Sequence, residues 1–271
     1  MLRSTIPCVA GTVAIAVAAV GAGRPVSAQA LDLKTARVVD LTHPFDEKTL
    51  YWPNAPSGFE LKRLHFGPSE GGYFYAANSF CAPEHGGTHL DAPIHFAEGQ
   101  ATVGQIPLDK LIGPAVVIDV ARQATADPDY RLSLEDVRAW ERRLGTIPSG
   151  ALVLLRTGWS ARWPDKKRYF GSDVPGDATQ LHFPSYGVEA ARFLVETRKV
   201  AALGIDTASI DYGPSKDFAV HRVAMGAGVP GLENLDHLDA VPEKGAWIVA
   251  LPMKIGEGSG APLRAVAFVP R

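Results

Sequence analysis

The chain has 271 residues, of which 46% are hydrophobic and 21% are charged, an ordinary globular composition. This length suits one sizeable domain or at most two modest ones. The formal net charge of −2 argues against a nucleic-acid binder, which usually shows a basic surplus, and no long run of like charge suggests a polyionic partner.

The amino terminus has the pattern of a secretory signal. Arg3 precedes the small-residue apolar run VAGTVAIAVAAVGAG, and the following RPVSAQA offers cleavage after Ala28 or after Ala30. The apolar run is shorter and less hydrophobic than a membrane span. We therefore predict a signal peptide over residues 1–28, a single domain over residues 31–271 and a periplasmic or secreted location. An uncleaved anchor is the alternative.

The next segment carries a strand, a cysteine and many aromatic residues. RVVDLTHPF (37–45) predicts a strand that runs into a turn. Cys81 is the one cysteine beyond the signal, and its neighbours predict a small buried hydrophobic side chain, with a metal ligand or nucleophile as the alternative. Trp52 is predicted to line a substrate pocket. Most other nearby aromatic side chains are expected in the core: Tyr51, Phe59, Phe66, Tyr73 and Phe74.

The stretch EHGGTHLDAPIHF, which starts at residue 84, holds three of the eight histidines of the chain. On a helix His85 and His89 would share a face, but Asp91 and His95 would point elsewhere, and glycine and proline disfavour a helix here. On an extended backbone, His89, Asp91 and His95 lie on one face. The two glycines would then let the chain turn, so that His85 reaches the same point.

Imidazole and carboxylate groups together favour zinc, manganese or iron over calcium or magnesium. The sequence therefore predicts a divalent metal site, with a hydrogen-bonded polar cluster at a sheet edge as the alternative. Glu84 falls on the opposite face and is not included among the predicted ligands. The best distant partners are His221 and Glu233, in HRVAMGAGVPGLENL (221–235). The other histidines are expected to be structural or at the surface: His43, His65, His182 and His237. Of these, His43 or His182 could line a pocket.

The remaining elements predict one α/β domain with many short strands. Apolar runs predict strands over 114–120, 150–158, 201–211, 245–255 and 262–270, and the patterns of 133–145 and 185–200 predict helices, the first beginning after Ser133 and ending at Gly145. The glycine-rich GEGSGAP (256–262) lacks the Lys-Ser/Thr ending of a phosphate loop. We expect a flexible turn near the site there.

HGGTHLDAPIHF resembles the H-x-G-T-H-x-D-x-P-x-H signature of the cyclase-like metal-dependent hydrolases, a family that includes bacterial kynurenine formamidase (arylformamidase) and isatin hydrolase. Further segments resemble other blocks of this family in the expected order, so that the resemblance covers most of the mature chain: DLTHPF, YWP, LLRTGW, GIDTASID and LPMKIGEGSGAPLRAVA. The resemblance implies a swivelling β/β/α fold, in the α/β class, and a dimer or a higher homo-oligomer.

The resemblance also implies roles for the candidate residues. It implies one or two Mn²⁺ or Zn²⁺ ions, because isatin hydrolase is similar at the first three ligands but runs with a single manganese. His95 matches the catalytic histidine of the signature; a further metal ligand, or a partner of a ligand, is the alternative. The matched metal ligands are His85, His89 and Asp91 for the first ion, and His221 and Glu233 for a two-metal site.

These roles predict a hydrolase in which metal-activated water cleaves the C–N bond of a small cyclic or aryl amide, as in isatin hydrolase. His95 would take the proton of the water and deliver it to the leaving nitrogen. Two alternatives remain open: an arylformamidase that acts on N-formylkynurenine, and a periplasmic metal or small-molecule binding protein without turnover. A signal peptide disfavours the formamidase, which belongs to cytoplasmic tryptophan breakdown. We expect no nucleic-acid partner and no stable membrane insertion after signal removal.

Overall fold

The computed structural model describes residues 34–271, and these residues belong to one compact unit. The predicted signal peptide lies outside the described residues and stays a prediction. Across residues 34–271, every helix falls short of the length and apolar character that crossing a membrane would require.

Short strands dominate this unit. In chain order they are β1 (Arg37–Asp40), β2 (Glu60–Pro68), β3 (Phe74–Cys81), β4 (His89–Asp91), β5 (Ile112–Asp119), β6 (Arg131–Leu132), β7 (Leu152–Arg156), β8 (Ser185–Tyr186), β9 (Ala202–Ile205), β10 (Gly231–Glu233), β11 (Lys244–Pro252) and β12 (Gly260–Val269). The helices are α1 (Ala121–Ala126), α2 (Leu134–Leu144), α3 (Lys166–Phe170), α4 (Val188–Arg192) and α5 (Ala219–Gly226).

The main sheet closes on itself. Its order is β1-β12-β11-β5-β7-β9-β10-β4, and β4 pairs back onto β12, so that seven strands form a barrel-like ring with β1 added outside β12. Strands β5, β7, β9 and β10 run parallel, whereas β4, β11 and β12 join the ring by antiparallel pairing. The predicted α/β class, with a single strand-rich domain, is confirmed.

Alternate residues of the central strands enter two different cores. Ala115 and Val117 of β5 belong to one apolar cluster with residues of the other ring strands. Val116 and Ile118 of the same strand belong to a second cluster, together with side chains from the helices. This alternation follows from the period of two in a strand. It explains why the buried strands appear as continuous apolar runs in the sequence.

Helix α2 forms where the sequence predicts it. Ser133 caps its amino end, since the serine side chain accepts a hydrogen bond from the Asp136 amide while the Asp136 side chain accepts one from the Ser133 amide. Val137 and Trp140 are buried, and the Trp140 indole donates to the Val117 carbonyl oxygen at 2.9 Å. These contacts fix the helix against the outer face of β5.

The helix predicted over 185–200 is only partly correct. Ser185–Tyr186 instead form β8, which pairs in parallel with β6. The buried Tyr186 hydroxyl donates to carbonyl oxygens of the ring strands β7 and β9. The helix begins at Val188 and continues beyond Arg192 as a wider π-helical turn over Phe193–Thr197.

The strand predicted over 201–211 is also shorter than expected. It ends at Ile205, where the buried Asp206 carboxylate accepts hydrogen bonds from the amides of Thr157, Gly158 and Trp159. These bonds tie the chain to the end of β7 rather than continuing the sheet.

Strands β2 and β3 form a separate two-stranded hairpin. Here two sequence predictions are wrong. Cys81 is exposed rather than buried, and Phe66, Tyr73 and Phe74 are exposed rather than in the core. The reason is topological: the hairpin lies outside the main sheet, so its side chains do not pack into the core of that sheet. Tyr51 alone of the aromatic side chains expected in the core is fully buried, and Phe59 is half-buried.

Candidate metal centre

A tight turn brings His85 back onto the strand that follows it. Gly87 has a φ of +58°, a left-handed conformation that glycine adopts without strain. A Cβ atom on Gly86 would lie 2.1 Å from the Tyr51 ring, so that position also requires glycine. The turn places His85 Nδ1 2.6 Å from Asp91 Oδ1. The prediction that the glycines allow this return is confirmed.

Strand β4 is held between two antiparallel neighbours. Glu233 of β10 lies directly opposite His89, and Gly260 of β12 lies opposite Asp91. A Cβ atom on Gly260 would lie 2.5 Å from the His85 ring, so the glycine makes room for that imidazole. The closed sheet therefore brings two strands from the carboxy-terminal part of the chain to β4.

Five side chains converge at this point. His89 Nε2 lies 3.2 Å from Asp91 Oδ1 and 3.6 Å from Glu233 Oε2. His221 Nε2 lies 3.2 Å from Asp91 Oδ2 and 3.2 Å from Glu233 Oε1. The ligand atoms fall into two groups that could each hold a metal ion and that share one carboxylate: His85, His89 and Asp91, and Asp91, His221 and Glu233. The structure thus brings together all five ligand candidates of the sequence; their role as ligands stays a prediction.

The Nδ1 atoms of His89 and His221 both have hydrogen-bond partners outside the ligand cluster. His89 Nδ1 lies 3.0 Å from the Gly87 carbonyl oxygen, and His221 Nδ1 lies 2.7 Å from the Asp211 carboxylate. Since both partners are acceptors, we assign the proton to Nδ1 in each ring. Each Nε2 therefore points at the carboxylates, and a metal ion bound between them would take the place of the proton that each Nε2 shares with them.

His85 is held through a serine. The Glu84 carboxylate accepts hydrogen bonds from the Ser259 amide at 2.9 Å and from the Ser259 hydroxyl at 2.8 Å. The Ser259 oxygen in turn lies 2.9 Å from His85 Nε2. This network leaves His85 Nδ1 to face Asp91. The turn expected at 256–262 is shorter than predicted, because β12 begins at Gly260. Its last residue, Ser259, lies beside the site and is anchored by Glu84, which the strand period set aside.

The electrostatics agree with a cation site. Burial raises the pKa of Glu233, and the nearby Asp91 raises it further. Burial alone lowers the pKa of His89, but Asp91 and Glu233 outweigh it and raise that pKa to about 9. Two carboxylates that share a buried space stabilise positive charge between them. The donor set therefore fits a divalent ion bound by imidazole and carboxylate groups.

His95 reaches the site by a different geometry from the one predicted. Pro93 starts a short 3-10 turn, Pro93–His95, so the extended period of two does not continue to His95. The ring instead stacks on His85, with centroids 3.8 Å apart and planes 20° apart. Burial lowers the pKa of His95 to about 4, so the ring is neutral at pH 7.

A cavity of about 250 Å³ opens onto these groups. Trp52 lies in its wall, half-buried and edge-on to Phe170. Phe96 and Phe218 add aromatic surface that the sequence did not single out. The Tyr51 hydroxyl is buried without a hydrogen-bond partner beside this cavity. Burial raises its pKa to about 12, so that it remains a donor at neutral pH.

The remaining histidines lie away from the ligand cluster. His43 is buried and stacks on Trp163 with centroids 4.3 Å apart. His182 pairs with Asp129 at the surface, and His65 and His237 are exposed. Their structural or surface placement agrees with the sequence interpretation. Asp211, which orients His221, was missed because its contact depends on how α5 packs after β9.

The fold and the site together define a class: an α/β protein in which a closed sheet carries a buried histidine–carboxylate centre suited to divalent metal. Comparison with known proteins narrows this class. A family model described as a putative cyclase matches residues 39–212, and the chain belongs to this family.

Two relatives and one crystal structure illustrate the likeness. The chain is 34% identical to an isatin hydrolase of Roseibium aggregatum over 208 residues, which cover 74% of this chain and 77% of the relative. It is 29% identical to a kynurenine formamidase of Polaromonas naphthalenivorans, covering 86% and 91%. An isatin hydrolase crystal structure with the product analogue thioisatinate bound has a TM-score of 0.79 at 30% identity, covering 88% of this chain and 94% of that one.

Proposed function

We propose that the protein is a metal-dependent hydrolase that cleaves the amide C–N bond of a small cyclic or aryl amide, as isatin hydrolase does. One observation carries this proposal: five imidazole and carboxylate side chains converge at a cavity with aromatic walls. The likeness to isatin hydrolase over most of the chain supports it.

A divalent ion, Mn²⁺ or Zn²⁺, would be held by His85, His89 and Asp91, and a second ion by Asp91, His221 and Glu233. When bound, such an ion lowers the pKa of water toward about 7 and polarises the scissile carbonyl. The shared Asp91 fits either one ion or two.

The chain's own residues prepare this centre. Asp211 fixes the His221 ring, and the Glu84–Ser259 pair fixes His85, so that the ligand nitrogens keep their direction without substrate. Such partners of metal ligands typically contribute about 10- to 100-fold to metal affinity or activity.

His95 performs the proton transfer in this proposal. It is neutral at pH 7, because burial lowers its pKa to about 4, and it stacks directly on His85. Its position beside a proposed ligand places it to take the proton of the attacking water and return it to the leaving nitrogen. The aromatic wall that includes Trp52 would receive the aromatic part of the substrate.

The second candidate function is arylformamidase activity, which the likeness to kynurenine formamidase favours. The two reactions differ in their products. Opening a lactam ring gives one product, whereas deformylation of N-formylkynurenine releases formate as a second product.

Purified protein loaded with Zn²⁺ or Mn²⁺ would be assayed with isatin and N-formylkynurenine side by side. We expect ring opening of isatin, detected as isatinate; release of formate as the main activity would favour the alternative. Metal binding without turnover of either compound, or of related amides, would contradict the enzyme and indicate a binding protein.

We further propose a periplasmic or secreted location and a homo-oligomeric state. The signal-like sequence of residues 1–28 supports the first. Amino-terminal sequencing of the protein secreted by its host would test it, with a start after residue 28 or 30 expected and an uncleaved Met1 contradicting it.

A further inference from the structure

The carbonyl oxygen of Gly87, in the turn between His85 and His89, has two hydrogen-bond donors around it. One is the His89 ring, whose Nδ1 lies 3.0 Å away. The other is the side-chain amide of Asn234, whose Nδ2 lies 2.8 Å away. A carbonyl oxygen has two lone pairs, so both are occupied here. The position of this oxygen sets the direction of the His89 ring, and Asn234 helps to fix that position.

The orientation of the Asn234 amide follows from its two neighbours. The Gly87 oxygen can only accept, so the amide nitrogen must face it and the amide oxygen must face away. On that side the Tyr169 hydroxyl lies 2.9 Å from Asn234 Oδ1. The same hydroxyl lies 3.2 Å from the carbonyl oxygen of Asp206, which is also an acceptor. The hydroxyl therefore acts as a donor, and its shorter contact is the one to Asn234.

The main chain of Asn234 also binds the ligand turn. Its carbonyl oxygen accepts a hydrogen bond from the Thr88 hydroxyl at 2.6 Å. Asn234 has a φ of +54°, a left-handed conformation that asparagine adopts more readily than most residues and that persists where the surroundings require it. Side chain and main chain of this one residue thus join the end of β10 to the turn that carries His85 and His89.

The Tyr169 ring is held firmly enough to fix its hydroxyl. It is fully buried near the end of α3, in an apolar cluster with Trp159 and Phe170. The Trp159 indole donates to the Tyr169 carbonyl oxygen at 2.7 Å, which holds the main chain there. Burial raises the pKa of Tyr169 well above its ordinary value. The hydroxyl therefore keeps its proton and remains a donor to Asn234.

We propose that Tyr169 and Asn234 are positioning residues of the metal centre. The Tyr169 hydroxyl holds the Asn234 amide in one orientation. The amide in turn holds the Gly87 carbonyl, which directs His89 Nε2 toward Asp91. Neither positioning residue belongs to the two groups of candidate ligands. The inference rests on the proposed role of His89 as a metal ligand and names the side chains that orient its ring.

Two tyrosine variants test this inference. Tyr169→Phe removes the hydroxyl and keeps the buried ring. Tyr186→Phe is the matched control, because the Tyr186 hydroxyl is also buried and also lies near two acceptors, the carbonyl oxygens of Val153 and Gly204 at 3.0 and 2.8 Å, which belong to β7 and β9 rather than to the ligand turn. Both variants should lose similar stability in chemical denaturation, since each loses one buried hydroxyl.

Titration with Zn²⁺ against a competing chelator then separates the two variants. We expect Zn²⁺ binding to be about 10-fold weaker in Tyr169→Phe, as for other partners of metal ligands, and unchanged in Tyr186→Phe. Equal losses of Zn²⁺ affinity in the two variants would overturn the inference, because the hydroxyl of Tyr169 would then act only through general stability.

The metal-free protein offers a second readout. In protein that carries isotope-labelled histidine, nuclear magnetic resonance measures how fast the Nδ1 proton of His89 exchanges with water. This exchange should be about 5-fold faster in Tyr169→Phe, because a hydrogen bond that holds its acceptor in place is lost. It should not change in Tyr186→Phe. An unchanged exchange rate in Tyr169→Phe would overturn the inference.

Asn234→Gly tests whether the two residues act in one chain of contacts. Glycine adopts a φ of +54° without strain but lacks the amide. In this background Tyr169→Phe should no longer weaken Zn²⁺ binding, and additive losses would overturn the inference. The tyrosine pair decides it even where Asn234→Gly does not fold. A wild type without Zn²⁺ binding would contradict the proposed function, while the exchange rates still decide the inference. Weakened Zn²⁺ binding in Tyr169→Phe, with no amide hydrolysis by wild type, would count against the proposed function alone.

Discussion

The histidine-rich segment, residues 84–96, and the hairpin of β2 and β3, residues 60–81, which we call the arm, are neighbours in sequence, yet they depart from the usual rule of burial in opposite ways. The segment buries ionisable groups such as His89 and Asp91, whereas the arm exposes large apolar groups such as Phe66 and Phe74. Polar groups are rarely buried without partners, and large apolar patches are rarely left in water. The proposed cation would account for the first reversal, and a surface that covers the arm would account for the second.

The largest expected effect comes from removing the carboxylate that both ligand groups share. Asp91→Asn should weaken metal binding and lower kcat/KM by at least about 1,000-fold, because it removes a ligand and the main buried negative charge. Titration calorimetry and the amide assay measure the two effects. Glu98→Gln, an exposed carboxylate, is the control, and Ala76→Glu in the arm should keep full metal affinity. Unchanged metal affinity in Asp91→Asn would contradict the assignment of Asp91 as a metal ligand.

Substitution of His95 separates metal binding from proton transfer. His95→Gln should reduce kcat by about 100- to 10,000-fold while metal affinity changes little, since His95 stacks on a ligand rather than completing a ligand group. His65→Gln, an exposed histidine of the arm, should leave kcat unchanged. A parallel loss of metal from the His95 variant would make it a ligand instead.

The Glu84–Ser259 pair should have a smaller effect. Ser259→Ala removes the oxygen that holds His85 Nε2 and should lower metal affinity about 10- to 100-fold. Competition with a chelator measures this change, and Ser160→Ala serves as the control. If the chelator removes metal from both variants equally, Ser259 does not position the ligand.

The pH dependence of metal binding should be the most gradual effect. Asp91 and Glu233 raise the pKa of His89 to about 9 against the lowering effect of burial, and a histidine must lose its proton to bind metal. Affinity should therefore rise about tenfold per pH unit between pH 6.5 and about 9. In the metal-free protein the raised pKa of His89 increases the free energy of unfolding below pH 6.5. This increase is lost as the pH rises through about 9. Calorimetry in buffers of different ionisation enthalpy would detect the released proton; a constant affinity over this range would contradict the assignment.

The sequence could predict the part of the site that is local. His85, His89 and Asp91 lie within seven residues, and their spacing with two glycines restricts the backbone enough to place them together. His221 and Glu233 could be named from the sequence only as candidate distant partners, and their place in a second ligand group came from the family resemblance, since β10 and α5 reach β4 by long-range packing. The role of Glu84 was missed for the same reason, because its partner Ser259 lies on a distant turn.

Two other errors have a common physical cause. Alternation of polar and apolar residues predicts a strand but not what covers it. The aromatic residues of the arm and Cys81 therefore appeared to belong to the core, although their ribbon lies outside the main sheet. His95 was placed on the correct side for the wrong reason, since a proline that begins a 3-10 turn ends the strand period before it.

A crystal structure of protein soaked with Zn²⁺, with anomalous scattering to locate the ion, tests the central claim most directly. The account predicts an anomalous peak about 2.0–2.2 Å from His85 Nδ1, His89 Nε2 and an Asp91 oxygen. A peak elsewhere, or divergent side chains at these three positions with no ion between them, would contradict it.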